Sequence, residues 1–542
     1  MSRFAGAAIL LAALAAPGAA QRTVGLMLHD STRSYQGYTL FAPMSWREVY
    51  LIDNNGELVH KWDAPPRPFL VVYLLEDGSL LRTAPAGERD KVEILDWNGN
   101  VTWSFDYTSD SAYSHHDVEM LPGGNVVMVA AEGRTRAEAI EAGRNPALCP
   151  YGLLPEHLIE VDTATNQIVW EWHAWDHLVQ DFDSTKQNWG VVRDHPELLD
   201  INYRTRNDPD IMHCNAVDYN AALDQLAISS RGYSEIWVID HSTTTEQARG
   251  HSGGRYGRGG DLLYRWGNPV TYRRGDTTHH RLWFQHDIQW IPDSLAGAGH
   301  FLAFSNGSPR NGARTWSSVE EWESPADSAG FYPLGPDSTW GPWEPAWWFR
   351  DTNEFYSPYI SGCQRLPNGN TLVCEGEYGT LFEVTPDSEV VWKYIVPVCS
   401  TGPMHQGDTA RYRTNSAFRC YRYGPDFPGF EGRNLTPMGP IELPPAGVAE
   451  PVPARPGETI LVVRPVTASD RAQVHFSLPA PSRVDLAVFD CLGARRATLA
   501  QGELAAGEHV VNWRPDGLPA GTYFCRLEAG GASASRRLAL AR

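Results

Sequence analysis

Basic residues are scarce in this chain, where 45 Lys and Arg stand against 65 Asp and Glu. The net charge of −20 over 542 residues argues against a nucleic-acid partner, because the phosphate backbone requires a basic surface. An anionic membrane surface is disfavoured for the same reason. A small anionic ligand would therefore have to be bound in a cleft where a few cationic groups are concentrated.

Long apolar runs are missing as well. The apolar stretch at residues 7–16 is too short to span a bilayer, and no later stretch resembles a membrane-spanning segment. This stretch follows Arg3 and precedes Gly18-Ala19-Ala20, which is the pattern of a secretory signal peptide. We predict that residues 1–20 are removed on export and that the protein is periplasmic, cell-surface or extracellular.

Cysteine is infrequent, and no two of the eight cysteines are adjacent. Export would permit disulfides. A hairpin that turns at Asn368-Gly369 would place Cys363 opposite Cys374, and such a pair could be bridged or remain reduced. Further candidate pairs, which the sequence cannot decide, are Cys399 with Cys420 and Cys491 with Cys525.

Aromatic residues, in contrast, are abundant, and 20 Trp with 22 Tyr favour an all-β protein. A strand–turn–strand phrase that ends in Trp and a second aromatic residue recurs, as in Ile94 to Phe105 and Phe382 to Tyr394. Two hairpins per unit make a four-stranded sheet, and the repetition predicts a six-bladed β-propeller. The predicted units are 38–62, 70–106, 115–173, 213–266, 286–350 and 361–396, with insertions at 132–156, 174–210, 242–260 and 308–342.

The composition changes after Tyr423. We predict a β-propeller domain at 21–423, a linker rich in Pro and Gly at 424–458, and a small Ig-like β-sandwich at 459–542. The last segment alternates strand-like runs with turn signals at glycine, which is typical of such sandwiches.

Candidate functional residues lie in four short polar segments at the edges of apolar runs. Arginine supplies a permanent charge with planar donors, and histidine supplies a nucleophile or a proton carrier near neutral pH. This combination suits a site that handles a compact anion. The segments are His116-Asp117, Asp210-x-x-His213-x-Asn215, Ser230-Arg231 and Gln285-His286-Asp287.

These motifs, in this order on a six-unit propeller, resemble the bacterial aryl-sulfate sulfotransferase family over most of residues 40–425. The resemblance implies transfer of a sulfuryl group from a phenolic sulfate ester to another phenol through a sulfated histidine. It implies no nucleotide sulfate donor, no cofactor and no metal. The family's separate N-terminal β-domain is absent or very short here, so the oligomeric state is not predicted.

The resemblance also implies roles for five residues. His286 corresponds to the nucleophile, and His213 and Arg231 are expected to be catalytic. His116 and Asn215 are expected to bind the sulfuryl group. Since adjacent residues of a strand face opposite ways, only one of His115 and His116 is expected to face the site, and His116 shares the His-Asp form of His286.

The chemistry of sulfuryl transfer requires particular groups in the site, whatever the family resemblance implies. Sulfuryl transfer needs charge-assisted donors on the non-bridging oxygens, a proton for the leaving oxygen and an in-line nucleophile. A neutral His286 would attack through one ring nitrogen, and the other nitrogen needs an acceptor. Asp287 is not the expected acceptor, because the neighbouring residue on a strand points away. Aromatic candidates for binding the aryl ring are Trp189, Trp283 and Tyr356.

Structural interpretations compete for several polar residues. Asp117, Asp210 and Asp287 are expected to cap turns or tie one blade to the next. His173, His177 and His195 could be considered metal ligands, but no accompanying Cys or carboxylate spacing supports a zinc site.

The C-terminal residues 459–542 resemble the Ig-like modules of many secreted bacterial proteins, including type IX secretion sorting domains. The matching segments are 484–493, 507–513 and 518–524. The resemblance implies export and contact with a secretion machinery, and it implies no catalytic role.

Three alternative functions remain open. A non-catalytic surface propeller that binds a ligand or a partner protein would keep its function without His286. A quinoprotein-like oxidoreductase is suggested by Asp162 to Trp170, which resembles a docking repeat of such propellers, although an adjacent Cys pair is missing. A sulfatase would result if water reached the sulfated histidine.

Overall fold

The computed structural model describes residues 22–445 apart from 64, 69, 87–88, 205–206, 308–314 and 411–412. It also describes residues 460–540 apart from 467–470, 491–493, 515–517, 519–520 and 531. The predicted signal peptide and residues 446–458 of the predicted linker lie outside the described residues. The described chain forms two compact units, one made of residues 23–404 and 409–442 and the other containing residues 443–540.

The larger unit is all-β, and its short helices lie in the insertions and turns. Its first strands are β1 (Gly25–His29), β2 (Tyr38–Pro43), β3 (Glu48–Ile52), β4 (Leu58–Asp63), β5 (Val72–Leu74), β6 (Leu80–Ala86), β7 (Arg89–Leu95), β8 (Val101–Asp106), β9 (Ala112–Met120), β10 (Val126–Glu132), β11 (Glu156–Asp162) and β12 (Gln167–His173). Then follow β13 (Leu178–Val179), β14 (Leu199–Asp200), β15 (Cys214–Asn220), β16 (Gln225–Ser230), β17 (Glu235–Asp240), β18 (Tyr264–Trp266), β19 (His286–Trp290), β20 (Phe301–Ser305), β21 (Ser318–Trp322) and β22 (Trp347–Arg350). The last are β23 (Gly362–Arg365), β24 (Thr371–Glu375), β25 (Thr380–Val384), β26 (Val390–Ile395), β27 (Val398–Cys399), β28 (Gly402–Pro403) and β29 (Ala417–Tyr423). The helices are α1 (Arg136–Glu141) and α2 (Thr245–Ala248), with 3-10 turns at Pro146–Leu148, Ala174–His177, Val192–Asp194, Pro269–Tyr272, Thr277–His279, Gly376–Tyr378 and Pro428–Phe430.

Most of these strands form consecutive antiparallel sheets, whereas β13 pairs with β14 in parallel and β27 pairs with β28 alone. We name the consecutive sheets sheet I (β29-β2-β3-β4), sheet II (β5 to β8), sheet III (β9 to β12), sheet IV (β15 to β18), sheet V (β19 to β22) and sheet VI (β23 to β26, with β1 added beside β26). Sheet I joins the two ends of the unit, because Tyr38 in β2 pairs with Tyr423 in β29. The result is a propeller-like arrangement of four-stranded sheets.

A tryptophan on the fourth strand of each sheet ties that sheet to the next. Its indole N–H donates to the segment between the third and fourth strands of the following sheet, and sheet VI returns to sheet I. A buried indole N–H normally finds a partner, and here the partner always comes from the neighbouring sheet. The pairs are Trp62 with Asp96 O, Trp103 with Asn166 Oδ1, Trp170 with Thr243 Oγ1, Trp266 with Pro342 O, Trp347 with Pro386 O and Trp392 with Asn54 O.

The smaller unit contains two antiparallel sheets. Its strands are β30 (Ile460–Val466), β31 (Arg471–Leu478), β32 (Ser482–Asp490), β33 (Arg495–Leu504), β34 (Gly507–Trp513), β35 (Gly521–Ala529) and β36 (Ala532–Leu540). One sheet has the order β30-β31-β34 and the other β33-β32-β35-β36. Val474, Phe476, Leu486 and Leu527 are buried in one apolar cluster, so alternate strand residues form a core of this unit's own.

The segment after Tyr423 packs on the larger unit as far as residue 442. Phe430 is buried in the same apolar cluster as Leu74, and its ring lies edge-on to Tyr38 with centroids 5.1 Å apart. The predicted domain boundaries themselves stay predictions.

The suggested bridge between Cys363 and Cys374 is wrong. Cys363 pairs with Val373, whereas Cys374 pairs with Gly362, so the register differs by one residue from a turn centred on Asn368-Gly369. Such a shift sends the two thiols to opposite faces of the sheet. All seven described cysteines are free, including Cys399 and Cys420, and Cys491 lies outside the described residues.

Candidate active site

The four histidine, arginine and asparagine segments meet where the first strands of sheets III, IV and V are interrupted. Each of β9, β15 and β19 shifts register there, opposite Val129, at Asn215 and after His286 respectively. A β-bulge re-aims side chains that regular alternation would send to opposite faces. His116 and His213 also have positive φ values of 60° and 49°, a region that non-glycine residues seldom adopt.

His286 is held by one of its two ring nitrogens. Its Nδ1 lies 2.6 Å from Asn306 Oδ1 and 3.1 Å from Phe284 O, so both possible partners of Nδ1 are acceptors. Burial lowers the pKa of His286 well below its ordinary value, and the neighbouring Arg231 charge lowers it further. The ring is therefore neutral near pH 7, with its proton on Nδ1 and its lone pair on Nε2.

The orientation of Asn306 is itself determined by its surroundings. Its Nδ2 donates to Ser357 O at 2.9 Å and to Ile360 O at 2.8 Å. Both amide hydrogens are thus used on carbonyl groups, and only Oδ1 can face His286. Asn306 is fully buried directly after β20. Asn306 was not predictable from the sequence, because nothing local distinguishes it from any asparagine that follows a strand.

His213 is oriented by a carboxylate three residues earlier. Its Nδ1 lies 2.5 Å from Asp210 Oδ2. Burial raises the pKa of Asp210, but the hydrogen bond from His213 and the charges of His213 and His115 together outweigh it and hold that pKa below its ordinary value. The charge of His213 also lowers the pKa of His286, so the two rings are electrostatically coupled. With Nδ1 committed to Asp210, Nε2 is the nitrogen of His213 that can exchange a proton.

His116 contacts His213 directly, whereas His115 turns to a carboxylate. The ring centroids of His116 and His213 are 4.8 Å apart, and His115 Nε2 lies 2.9 Å from Glu156 Oε2. The Nδ1 atoms of His115 and His116 are 2.7 Å apart, which requires one of them to donate and the other to accept.

The charges on this histidine pair decide which ring donates. Burial, His213 and then His115 lower the pKa of His116 well below its ordinary value. Burial also lowers the pKa of His115, but Glu156 outweighs it and places that pKa above its ordinary value. Burial raises the pKa of Glu156 above its ordinary value, although His115 and a hydrogen bond from Cys214 N at 2.8 Å act against that shift. When His115 is cationic, it donates from Nδ1, and a neutral His116 then carries its proton on Nε2.

Arg231 follows β16 and lies beside the segment that precedes His286. Its guanidinium carbon is 5.0 Å from the ring centroid of Phe284, and its backbone N–H donates to His213 O at 3.1 Å. Its permanent charge lowers the pKa of His286.

Asn215 is fully buried, and its side-chain amide hydrogen-bonds to a backbone carbonyl group. Its Nδ2 donates to Gln285 O at 2.8 Å, while its Oδ1 is buried without a partner among the described residues. The side chain therefore ties β15 to the residue before His286. Its predicted role in binding the sulfuryl group stays a prediction.

Arg419, which was not predicted from the sequence, connects the three strands β9, β15 and β19 that carry the histidine segments. Arg419 Nη1 donates to Asp117 Oδ2 at 2.8 Å, its Nη2 donates to Asn215 O at 2.8 Å, and its Nε lies 3.2 Å from Asp287 Oδ1. Burial lowers the pKa of Arg419, but the two carboxylates outweigh it and raise that pKa well above its ordinary value. Nothing in the local sequence distinguishes Arg419, which lies in the closing strand β29.

Asp117 and Asp287 also bind the neighbouring sheets. Asp117 Oδ2 accepts from Val217 N at 3.1 Å, and Asp287 Oδ2 accepts from Cys363 N at 2.8 Å. Each carboxylate thus links the first strand of its own sheet to the first strand of the next. Asp287 does not contact His286 through its side chain, and Asn306 supplies the acceptor instead.

The ring that lies between the histidines is Phe418. Its centroid is 6.2 Å from those of both His116 and His286. Of the aromatic residues singled out in the sequence, Trp283 stacks on His280 with centroids 3.7 Å apart. Trp189 is half exposed, and Tyr356 lines a cavity of about 450 Å³ with Glu375 and Tyr378.

Solved structures with similar folds are distant from this chain. A Bacteroides caccae protein of unknown function is 11% identical, with 72% of this chain and 99% of that one covered and a TM-score of 0.38. A putative 6-phosphogluconolactonase from Bacteroides fragilis is 10% identical, with 72% and 99% covered and a TM-score of 0.34. Virginiamycin B lyase from Staphylococcus aureus is 9% identical, with 70% and 86% covered and a TM-score of 0.30. Similarity at this level indicates nothing about the reaction of this chain.

Comparison with curated proteins and with family profiles gives contrasting results. None of the curated proteins matches this chain. Among the described residues, no helix has the length and apolar character needed to cross a membrane. The sequence profile of the arylsulfotransferase (ASST) family matches residues 27–393, which is more than half of the chain and includes His116, His213, Asn215, Arg231 and His286. The chain belongs to the arylsulfotransferase family.

Proposed function

We propose that this sulfotransferase moves a sulfuryl group from an aryl sulfate ester to a phenol through a sulfated His286. The observation that carries the proposal is the hydrogen bonding of His286. Asn306 and Phe284 accept from Nδ1, which leaves the Nε2 lone pair of a neutral ring available for attack.

The first half-reaction sulfates the enzyme. Nε2 of His286 attacks the sulfur with its lone pair and forms the N–S bond, while the bond between sulfur and the phenolic oxygen breaks. The electron pair of that bond leaves on the phenolic oxygen, which takes a proton from His213 Nε2. Asp210 accepts a hydrogen bond from Nδ1 on the other side of the ring and so orients His213 for this transfer.

The second half-reaction returns the enzyme to its starting state. His213, now neutral, takes the proton of the incoming phenol, and the phenolic oxygen attacks the sulfur. The N–S bond breaks, and its electron pair returns to Nε2 of His286. The result is a ping-pong reaction in which donor and acceptor use the same proton carrier.

The non-bridging oxygens of the sulfuryl group carry the negative charge that has to be stabilised. Arg231 supplies a permanent charge beside His286. His116 supplies an N–H from Nε2, because a cationic His115 donates to its other nitrogen. The two histidines are thus held in opposite tautomers, one as a donor and the other as a nucleophile. Small-molecule substrates follow from the family, and the identity of donor and acceptor as aryl sulfate and phenol is part of the proposal.

Mass spectrometry of the sulfated intermediate tests this proposal. After brief mixing with p-nitrophenyl sulfate, the wild-type peptide that contains His286 is expected to gain one sulfuryl group and to lose it when phenol is added. His286→Ala is expected to show neither the adduct nor turnover. His300→Ala is a matched control, since His300 pairs with Glu321 elsewhere on sheet V and its loss is expected to leave the adduct unchanged.

Other outcomes would point to other functions. Release of p-nitrophenol that continues unchanged in His286→Ala would overturn the covalent mechanism. Turnover to free sulfate without transfer to phenol would indicate a sulfatase. A protein with neither adduct nor turnover would favour the ligand-binding propeller.

We further propose that sheets I to VI are the blades of a six-bladed propeller. The six tryptophan hydrogen bonds support it, because they run from each sheet to the next and return to the first. The pairing of β2 with β29 supports closure of the ring by both ends of the unit. An experimental structure with a different number of sheets around the axis would contradict it.

Export and sorting form a separate proposal. We propose that residues 1–20 are a signal peptide and that residues 459–542 form an Ig-like sandwich that directs secretion and contacts the secretion machinery. The two sheets of the smaller unit, with a core of their own, support the sandwich. N-terminal sequencing of the mature protein is expected to begin after residue 20, and deletion of 459–542 is expected to retain activity while abolishing release to the surface. Retention inside the cell of the full chain would contradict the proposal.

A further inference from the structure

Two insertions of the larger unit meet at a cluster of two histidines and one carboxylate. His177 ends the 3-10 turn that follows β12, whereas His251 and Asp261 belong to the excursion between β17 and β18. His177 Nδ1 lies 2.8 Å from Asp261 Oδ1, and His251 Nδ1 lies 2.7 Å from the same oxygen. Two imidazole nitrogens from different insertions therefore converge on one carboxylate oxygen.

The hydrogen bond made by Nε2 of His177 determines whether Nδ1 of a neutral ring is a donor or an acceptor. His177 Nε2 lies 2.8 Å from Ala248 O, a carbonyl group that can only accept. The proton of a neutral His177 is thus on Nε2, and the lone pair on Nδ1 faces the carboxylate. Two electron-rich atoms at this distance require a positive species between them, either a proton or a metal ion. A carbonyl that fixes the remote nitrogen is the usual outer partner of a metal-binding histidine.

The side chain of His177 is tightly packed. His177 is fully buried, and its ring is parallel to that of Trp172, whose Nε1 donates to Gly260 O at 2.7 Å. A Cβ at Gly260 would lie 2.6 Å from His177 Nε2 and 2.0 Å from Ala248 O. Glycine is therefore required for the close approach that holds His177 in place.

We propose that His177, His251 and Asp261 bind one Zn²⁺ ion. The three ligand atoms lie within 4.8 Å of one another. Two imidazoles and a carboxylate suit zinc, whereas Ca²⁺ and Mg²⁺ prefer oxygen ligands throughout. Ligands of a tetrahedral zinc are about 3.4 Å apart, so the cluster opens by about half an ångström on binding. His251, which is mostly exposed, provides that movement and leaves the fourth position to water.

The ion would fasten the insertion at 174–210 to the insertion at 242–260. The first insertion also supports the turn that follows β16, since Tyr233 Oη donates to Asp200 O at 2.8 Å. A zinc ion here would stabilise the insertion that supports this turn, and the turn contains Arg231. The ion itself would not contact the proposed catalytic groups. The proposal does not depend on the sulfotransferase mechanism.

Zinc titration of the full mature chain tests the proposal. The protein is prepared without a histidine tag, freed of metal with a chelator, and titrated with Zn²⁺ in competition with a chelating indicator. Wild type is expected to bind one equivalent, and Ca²⁺ is expected not to compete. His251→Ala and Asp261→Asn are each expected to weaken binding at least about 100-fold, since even outer partners of metal ligands contribute about 10- to 100-fold.

His195→Ala is the matched control. His195 lies on the same insertion and pairs with Glu197 at 3.1 Å, and it is not a member of the His177–His251–Asp261 cluster, so its loss is expected to leave zinc binding unchanged. A thermal melt supplies an independent readout, in which zinc is expected to raise the Tm of wild type and His195→Ala but not of His251→Ala. Because His251 is exposed, His251→Ala is expected to fold normally. Absence of binding to wild type, or binding that His251→Ala and Asp261→Asn leave unchanged, would overturn the proposal in favour of a hydrogen-bonded His–Asp–His cluster.

Discussion

Removal of the Asn306 amide should slow sulfation of His286 while leaving the rest of the site intact. In the resting enzyme, Asn306 Oδ1 accepts from a neutral ring, and that hydrogen bond contributes about 1 kcal/mol. As the N–S bond forms, the ring gains positive charge, and a hydrogen bond from a charged donor contributes about 1.5–3 kcal/mol. The difference of about 0.5–2 kcal/mol stabilises the transition state relative to the resting enzyme. Asn306→Ala is therefore expected to slow the step about 2- to 30-fold, and Phe284 O moderates the effect because it accepts from the same N–H group.

The stability of this variant has to be measured separately. Asn306→Ala also removes the amide donor of Ile360 O, at a cost of about 1–3 kcal/mol, whereas Ser357 O still accepts from Ser317 Oγ at 3.3 Å. Ser317→Ala is the matched control, because Ser317 Oγ donates to Asn306 O and accepts from Ser357 N without contacting His286. Both variants are expected to have a lower Tm than wild type.

Rapid mixing with p-nitrophenyl sulfate measures the sulfation step directly. The burst of p-nitrophenol is expected to be slower in Asn306→Ala and within about twofold of wild type in Ser317→Ala. The measurement is made well below the Tm of both variants. Equal burst rates in folded Asn306→Ala and in wild type would show that catalysis does not depend on an acceptor at Nδ1.

Three further predictions concern charge. Arg231→Ala is expected to reduce kcat by about 10²- to 10³-fold, with partial recovery in Arg231→Lys, because a donor to developing charge is lost; a change in KM alone would contradict this. Glu156→Gln is expected to lower the pKa of His115, so that His115 no longer donates to His116, and to reduce kcat/KM at pH 7; an unchanged pH profile would contradict it. Burial lowers the pKa of His157 to about 3, so the unfolded chain binds the extra proton and stability is lost as the pH falls below about 6.5. His157→Gln is therefore expected to lose about 2 kcal/mol less than wild type between pH 7 and pH 5 in urea titrations, and parallel curves would contradict this.

The order of strands could be predicted from the sequence because its signals are local. Alternation of apolar residues and a glycine at the turn fix each hairpin, as at Gly99, which has a φ of 85° between β7 and β8. The repeated tryptophans pointed to buried positions, and Trp62, Trp170 and Trp392 are buried, whereas Trp103 is only partly so. Their hydrogen bonds to the next sheet were not predictable, because the partner lies in another repeat.

The pairing register of the strands was harder to predict from the sequence than their order. A symmetric turn at Asn368-Gly369 predicted Cys363 opposite Cys374, but Leu366 N donates to Asn370 O and the loop spans five residues. One residue of difference reverses the faces of both thiols. The alternation rule had the same limit at the site, where bulges in β9, β15 and β19 replace regular alternation.

The sequence by itself determined the residue types of the site, namely the imidazoles of His116, His213 and His286 and the guanidinium of Arg231. Only the tertiary structure decided which nitrogen of His286 and of His115 is used, because Asn306 and Glu156 reach these rings from other strands. Likewise, His177 and Asp261 are 84 residues apart, and no spacing rule connects them. Strand formation depends on neighbours along the chain, whereas a tautomer or a ligand set depends on atoms that folding brings within 3 Å of one another.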